Sequence, residues 1–429
     1  MLDRRDRLIL FGRYPEPGKV KTRLVPALGP AGAADLQRRL TERALAEVRR
    51  AARQAGASVE VRFAGGDRRK MRRWLGDRLR LVPQGPGDLG HRMRRALFAA
   101  LADGDRRVVL VGTDVPGMTA EHLGRALEAL TGHDVVLGPS ADGGYWLVGL
   151  RRRTDLFAGI DWGTPRVLDQ TLRAARAEGR SVVRIETLSD LDTPDDLAAL
   201  RPEAAGRPYL SVIVPALNES APIAEAIATA RAPDAEILVV DGGSADATVA
   251  VARDAGARVL SGARGRAGQQ NLGAAEARGR VLLFLHADTR LPAGYVGHVF
   301  EALMDPRIVG GAFRFRTDLD TPWMRAIERL TDLRSRRLRL PYGDQALFVR
   351  REAFEALGGF PKVPIAEDLH LVRRLNRWGR VVTLAAPAVT SARRWRTRGR
   401  FRTTLVHQAV VAGIYAGVPT AWLARLRGR

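Results

Sequence analysis

The chain has 429 residues, enough for two or three domains, and its 45% hydrophobic content is that of an ordinary globular protein. Its formal net charge of +23 favours acidic partners such as nucleotides, nucleic acid or anionic lipid headgroups, yet all but four of its 70 basic residues are arginine, a bias that reads as compositional habit more than a built patch. It contains no cysteine, which excludes disulfides, zinc–thiolate centres and thiol nucleophiles, and its seven histidines lack the HxH or HExxH spacing of a metal site.

The opening MLDRRDRLILFGR has too short an apolar core for a secretion signal, so a cytoplasmic protein is expected. Residues 8–11 predict a strand that runs into GRYPEPGKVKTR (12–23), a tight loop in which Gly12, Lys19, Lys21 and Arg23 offer backbone approach and three cations to a phosphate. It is not a Walker loop, because GxxxxGK[ST] is absent. A strand near 59–63, a basic helix near 67–79 and a glycine-rich turn at 85–90 leading into HRMRRALFAAL follow. The apolar run VVLVGTD (108–114) then closes on Asp114, which lies too early to cap the helix expected from Thr119. After another strand at 135–138 come DGGYW (142–146), whose glycines permit close approach to a ligand, and DWGTP (161–165), which opens a helix. In DLDTPDDL (190–197), Thr193 as N-cap, Pro194 at the first helical position and acids in the first turn account for TPDD structurally, and Asp192 is left over. Asp192 is therefore a candidate partner of Asp114 for a hard divalent cation, Mg or Mn.

RPEAAGRP (201–208), polar and without periodicity, is the expected joint. Beyond it YLSVIVP (209–215) predicts a strand followed by ALNES, and residues 236–240 a second strand running into DGGSADAT. There Asp241 can accept from the N–H of a nucleobase, while Ser244 or Asp246 is expected to cap the next helix. A basic loop with Arg264 and Arg266 leads through a helix to VLLFLHAD (281–288), read as a central parallel strand, buried on both faces, that delivers Asp288 to the carboxyl edge of the sheet where ligands bind. GGAF (310–313), YGDQ (342–345) and the Glu367-Asp368 pair come next. Residues 403–424 are uncharged and could span a bilayer, but Gly413, Gly417, Pro419 and Gln408 dilute them. A helix packed on the protein or lying at the inner face of the cell membrane, with RRWR (393–396) toward anionic headgroups, is the expectation.

PGKVKTRL, GTDVP, ADGGYWLVGL and DLDTPDDL together resemble, over residues 7–200, the small bacterial family related to the molybdenum-cofactor and 2-phospholactate guanylyltransferases. That resemblance implies a nucleotide-diphospho-sugar transferase (GT-A) fold, a nucleotide at residues 12–23 and a metal at Asp114 with Asp192, although the GxGxR opening of nucleotidyltransferases is not intact. The ordered series VPALNE, DGGSADAT, HAD, GGAF, YGDQ and ED resembles family-2 glycosyltransferases over residues 209–395. With its HADT variant and the first half, it is similar to the glycosyltransferases grouped with arsenosugar biosynthesis. This second resemblance implies that Pro215, Asn218, Glu219, Asp241, Gly243, Asp246, Arg264 and Arg266 surround the nucleotide. It puts Asp288 on the metal, Gly311, Asp344 and Gln345 toward the acceptor, and Glu367 with the base Asp368 at the reacting centre. His286 stands where a DxD triplet has its first carboxylate.

An α/β protein is thus expected, with two tandem GT-A, Rossmann-like domains of mixed, mostly parallel sheets at 1–200 and 209–395, a linker at 201–208 and a tail at 396–429. The expected activity is metal-assisted, inverting transfer of a sugar from a UDP- or GDP-linked donor to a small-molecule or lipid-like acceptor. Three other readings stay open: a first half that makes the donor by nucleotidyl transfer, a carotenoid or other lipid glycosyltransferase, and a basic nucleic-acid-binding protein. The last lacks any RRM, KH or helix-turn-helix pattern, so no specific nucleic-acid partner is expected.

Overall fold

In the computed structural model the described residues are 5–200, 208–262 and 265–393, with seven scattered positions between 409 and 423. Arg264, nearly all of the joint and most of the tail lie outside them. The chain divides into two units, Met1–Gly206 and Arg207–Arg429.

The first unit contains seven strands: β1 (Arg7–Arg13), β2 (Ser58–Ala64), β3 (Arg80–Pro83), β4 (Val108–Gly112), β5 (Val135–Pro139), β6 (Tyr145–Leu150) and β7 (Val182–Arg184). They form one sheet in the order β3-β2-β1-β4-β6-β5-β7, in which only β6 runs antiparallel to its neighbours. Leu8, Ile9, Leu10, Val108 and Val109 are all but inaccessible, as strands covered by helices on both faces require. Through Ile9, Leu110, Leu137 and Val148 one face packs on the helices Leu89–Ala102 and Val167–Ala177, while the helix Val25–Ala55 packs against β1 and the helix Ala120–Gly132. Thr119 caps the latter helix, as the sequence predicts.

The second unit contributes β8 (Leu210–Ala216), β9 (Ala235–Asp241), β10 (Arg258–Ser261), β11 (Val281–Phe284), β12 (Thr289–Arg290), β13 (Ile308–Thr317), β14 (Leu347–Arg350) and β15 (Arg380–Thr390). Their order is β10-β9-β8-β11-β14-β13-β15-β12. Strands β8 to β11 are mutually parallel, and β14 runs antiparallel to both β11 and β13. The core between sheet and helices is built on Ile213, Leu238, Leu282, Phe284, Phe354 and Leu375.

Two expectations change here. Strand β11 stops at Phe284, four residues short of Asp288, because Leu285 N–H still reaches Ile213 O (2.9 Å) but Thr289 N–H turns back onto His286 O (3.0 Å). The strand is parallel only on its β8 side; on the other it meets the returning β14. This second change positions the site: Phe284 lies opposite both Ile213 and Leu347, so the 3-10 turn Gly343–Gln345 that precedes β14 is delivered to the carboxyl edge of β8, β9 and β11. Among the described residues no helix is long and apolar enough to cross a membrane. Of the tail, Leu423 is buried against Ile365 and Leu369.

Candidate active sites

At the carboxyl edge of the second sheet the loops after β8 and β9 are laced together. Asn218, in the left-handed region (φ 55), accepts from Ala245 N–H through its side chain (2.9 Å), and its own N–H donates to Ser244 Oγ (2.9 Å). Glu219 N–H reaches Thr248 Oγ1 at 2.8 Å. The Asp241 carboxylate, 5% exposed, accepts from Gly243 N–H (3.0 Å) and Ser244 N–H (3.1 Å), so much of its hydrogen-bonding capacity is spent on shaping its own loop. Asp246 accepts from Thr248 N–H (3.0 Å) and Ser220 N–H (3.2 Å), and the Thr248 hydroxyl leads the bonds that hold its carboxyl far below the usual range. It ties two loops and does not cap a helix; nor does Ser244, since Ala247 is the N-cap and no side chain serves it. Pro215 lies within β8.

Beneath these loops Gln269, which the sequence reading missed, donates through Nε2 to Ala216 O (2.8 Å) and Val240 O (2.7 Å), joining the ends of β8 and β9. In the sequence it is one of three successive amides, Gln269, Gln270 and Asn271, on the helix Arg266–Glu276, and no local signal singles it out.

A second cluster at this edge is built around Gly343. Its N–H donates to Asp368 Oδ2 at 2.6 Å, while Asp368 Oδ1 accepts from Leu369 N–H at 2.8 Å, which fixes the carboxylate in the first turn of the helix Glu367–Trp378. A Cβ on Gly343 would stand 3.1 Å from Asp368 Oδ2 and 3.2 Å from His286 Nε2. Asp368 and the histidine two residues before Asp288 therefore face one small space. The backbone of Asp288 is pinned by Ser391 N–H (2.9 Å). Arg393 bonds Glu219 Oε2 at 2.6 Å and also feels Asp288; Glu219 first, then Asp288, raise its guanidinium above the ordinary arginine range. Arg393 as a cation at this edge was not foreseen.

Three assignments are corrected by their surroundings. Gly311 is buried within β13, with Val382 O and the Phe348 ring 2.4 and 2.7 Å from its Cβ position, so it serves close strand packing and does not face an acceptor. Gln345, 0% exposed, spends its amide on Phe313 O (3.0 Å) and Tyr342 N–H (3.1 Å). Glu367 is 4% exposed and pairs with Arg266 at 3.6 Å, which makes it a positioning residue for that arginine. Asp344 stays partly exposed beside Asp368's turn, its carbonyl accepting from Thr390 Oγ1 at 2.8 Å.

Whether this edge suits a divalent cation can be judged from its donors. Among the described residues no group of three or more His, Cys, Asp or Glu side chains could hold a metal, and no hydrogen-bond donor engages the Asp288 carboxylate. One open, hard carboxylate fits a cation of the Mg or Mn kind, which takes most of its ligands from water and substrate phosphates.

In the first unit Asp114 and Asp192 do come together, but around a side chain. Lys21 Nζ lies 3.0 Å from Asp114 Oδ1, 2.7 Å from Asp192 Oδ1 and 2.7 Å from Leu191 O, with its side chain 3% exposed. Burial alone would lower this amine, yet the two carboxylates outweigh it and leave it above the ordinary lysine range. Lys21 sits in the left-handed region (φ 46, ψ 44), a conformation that costs a non-glycine residue about 1–2 kcal/mol. Of the other phosphate-grip candidates, Gly12 is buried in β1 with its carbonyl taken by the Gln84 amide (3.0 Å), Lys19 is exposed and paired with Glu16, and Arg23 is exposed. The loop therefore does not gather three cations on one ligand. Beside the triad, burial pushes the Asp190 carboxyl up to about 6, against its hydrogen bond from Ser140 Oγ (2.6 Å) and with help from Asp142, Asp192 and Asp114.

Residues 47–164 match the family described as "Uncharacterized protein conserved in bacteria (DUF2064)", and residues 211–358 match glycosyl transferase family 2. No curated protein matches the chain. Among solved structures, the chain is 36% identical to a proposed nucleotide-diphospho-sugar transferase from Desulfovibrio desulfuricans G20, over 46% of this chain and 85% of that one, with a TM-score of 0.43. It is 22% identical to the mannosyltransferase PcManGT from Pyrobaculum calidifontis, solved with GDP-Man and Mn2+, over 48% and 61% of the two chains, with a TM-score of 0.39. It is 23% identical to glucosyl-3-phosphoglycerate synthase from Mycobacterium tuberculosis, solved with Mn2+, UDP and glucosyl-3-phosphoglycerate, over 45% and 74%, with a TM-score of 0.34. The chain thus spans less than two thirds of the mannosyltransferase. Both units are α/β folds built on mixed, mostly parallel sheets, and the match to glycosyl transferase family 2 falls within the second.

Proposed function

We propose that the second unit moves a sugar from a UDP- or GDP-linked donor to an acceptor hydroxyl in a single inverting displacement. The observation that carries this reading is the Asp368 carboxylate, aimed by Gly343 and Leu369 N–H groups at the space it shares with His286, on the sheet edge that also bears Asp288. Asp368 takes the acceptor proton as the acceptor oxygen bonds to the anomeric carbon. On the opposite face the bond from that carbon to the diphosphate oxygen breaks, so the centre inverts. Asp288 would hold the divalent cation, which supplies positive charge to the departing diphosphate. Arg266, held by Glu367, and Arg393, held by Glu219, add fixed positive charge from the protein.

The test is a screen of UDP- and GDP-sugars with Mn on the full chain, repeated with Asp288→Ala and Asp368→Asn. Asp288→Ala is expected to weaken donor binding, and Asp368→Asn to spare binding but stop transfer. Normal turnover by both variants would overturn the site.

For the acceptor, the sequence resemblance favours an arsenic-bearing small molecule, as in arsenosugar formation, over a carotenoid or other lipid hydroxyl. Product mass after incubation with each class decides between them. Donor synthesis by nucleotidyl transfer in the first unit is the competing assignment for that half; pyrophosphate release from a nucleoside triphosphate by the Asp368→Asn chain would support it.

A further inference from the structure

The acids Asp114 and Asp192 stand where a metal-dependent nucleotide-binding unit would keep its cation, yet the space between them is filled. An ammonium has three N–H donors, and Lys21 Nζ has three acceptors within 3.0 Å: Asp114 Oδ1, Asp192 Oδ1 and Leu191 O. The enclosure is continuous, because Leu191 N–H donates to Asp114 O at 2.9 Å and so binds the two acidic segments to each other through their backbones. The lysine adopts an unfavoured backbone conformation to turn inward, and its side chain is shut off from solvent. A divalent ion on these carboxylates would have to sit within a few ångströms of a fixed positive charge whose three N–H donors are already engaged on Asp114 Oδ1, Asp192 Oδ1 and Leu191 O.

We propose that the Lys21 ammonium is the resident cation of the first unit and takes the place of a divalent metal between Asp114 and Asp192. Divalent-cation binding by the chain then belongs to the second unit alone. The metal that the sequence resemblance implies for the first unit does not fit the residues that surround its two acids.

Counting bound Mn2+ on the full chain by electron paramagnetic resonance, with UDP or GDP present, tests this. Asp114→Asn and Asp192→Asn are expected to bind as many ions as the wild type, whereas Lys21→Met gains one ion per chain and Lys21→Met with Asp114→Asn loses it again. The proposal is overturned if Asp114→Asn or Asp192→Asn costs the wild-type chain an ion, or if a folded Lys21→Met gains none. Should Lys21→Met fail to fold with its two acids unneutralised, the single Asn variants decide alone. Asp288→Ala, counted alongside, reports on the second unit separately, so a failure there is distinguishable from a failure here.

Discussion

The two units carry their acids to the same edge of similar sheets and treat them in opposite ways. The first closes Asp114 and Asp192 onto its own lysine; the second leaves the Asp288 carboxylate open among the described residues, with Arg393, a cation that feels it, engaged by Glu219. Below this difference the scaffolds agree in detail. In the first unit Gln84 Nε2 donates to Gly12 O (3.0 Å) and Arg62 O (3.3 Å), and in the second Gln269 Nε2 donates to Ala216 O (2.8 Å) and Val240 O (2.7 Å). One buried amide in each unit therefore ties its first two strands at their carboxyl ends, although Gln84 follows a strand and Gln269 rides on a helix. The lesson is that the fold specifies where acids arrive, while a single cation on a loop decides whether they remain available.

The largest expected effect separates the units by chemistry. Asp368→Asn should lower kcat for sugar transfer by about 10²–10⁴-fold with donor affinity unchanged, as loss of a general base does. Single-turnover rates and donor titrations check it, and full activity in this variant beside loss of transfer in Lys21→Met would reverse the contrast between the units.

Next comes pH. The Asp190 carboxyl titrates near 6 in the folded first unit against an ordinary value of 3.8, so the folded state favours the protonated form. Its contribution to stability is complete below the ordinary value and is lost as pH rises through about 6. Asp190→Asn should therefore stabilise the first unit by up to about 3 kcal/mol at pH 8 and by almost nothing at pH 4. Denaturation at both pH values measures the difference, and a gain that is equal at both would remove this cause.

The two stitches should be nearly interchangeable in cost. Gln269→Leu and Gln84→Leu each strip a donor from two buried carbonyls and should cost about 1–3 kcal/mol in their own unit, read as separate shifts in denaturant midpoint. Only the Gln269 variant should also raise the KM for the donor. Smallest of all, Arg393→Ala should change stability by no more than about 1 kcal/mol, because its pair with Glu219 is partly in solvent.

Much of this was legible in the sequence. Apolar runs placed the strands, Thr119 and Thr193 marked helix starts, and an acid shortly beyond each of two strands marked two sheets. What local pattern could not show was partner choice over long separations. Lys21 reads as one of three loop cations until Asp192, far along the chain, is seen to receive it. Gln345 is expected to face an acceptor until Phe313 and Ser335 are seen to close over its amide. The apolar run into Asp288 hides its end for a related reason: Leu285 and Ala287 are as buried as strand residues, but there the backbone turns instead of continuing the ladder. Gly311 shows the converse, a glycine kept for the strands beside it.

The descending strand β14 has a consequence for how such a protein can diversify. Because Leu347 is locked to Phe284, the turn bearing Gly343 is brought to Asp368 by the strand pairing itself. The helix Pro322–Arg337 lies between β13 and that turn, anchored on β13 through Met324 and Glu328 while Leu330 and Leu333 stay exposed. Its exposed face is therefore free to vary in sequence, while the face carrying Met324, Glu328 and Ser335 is held by the strands and the turn it packs on.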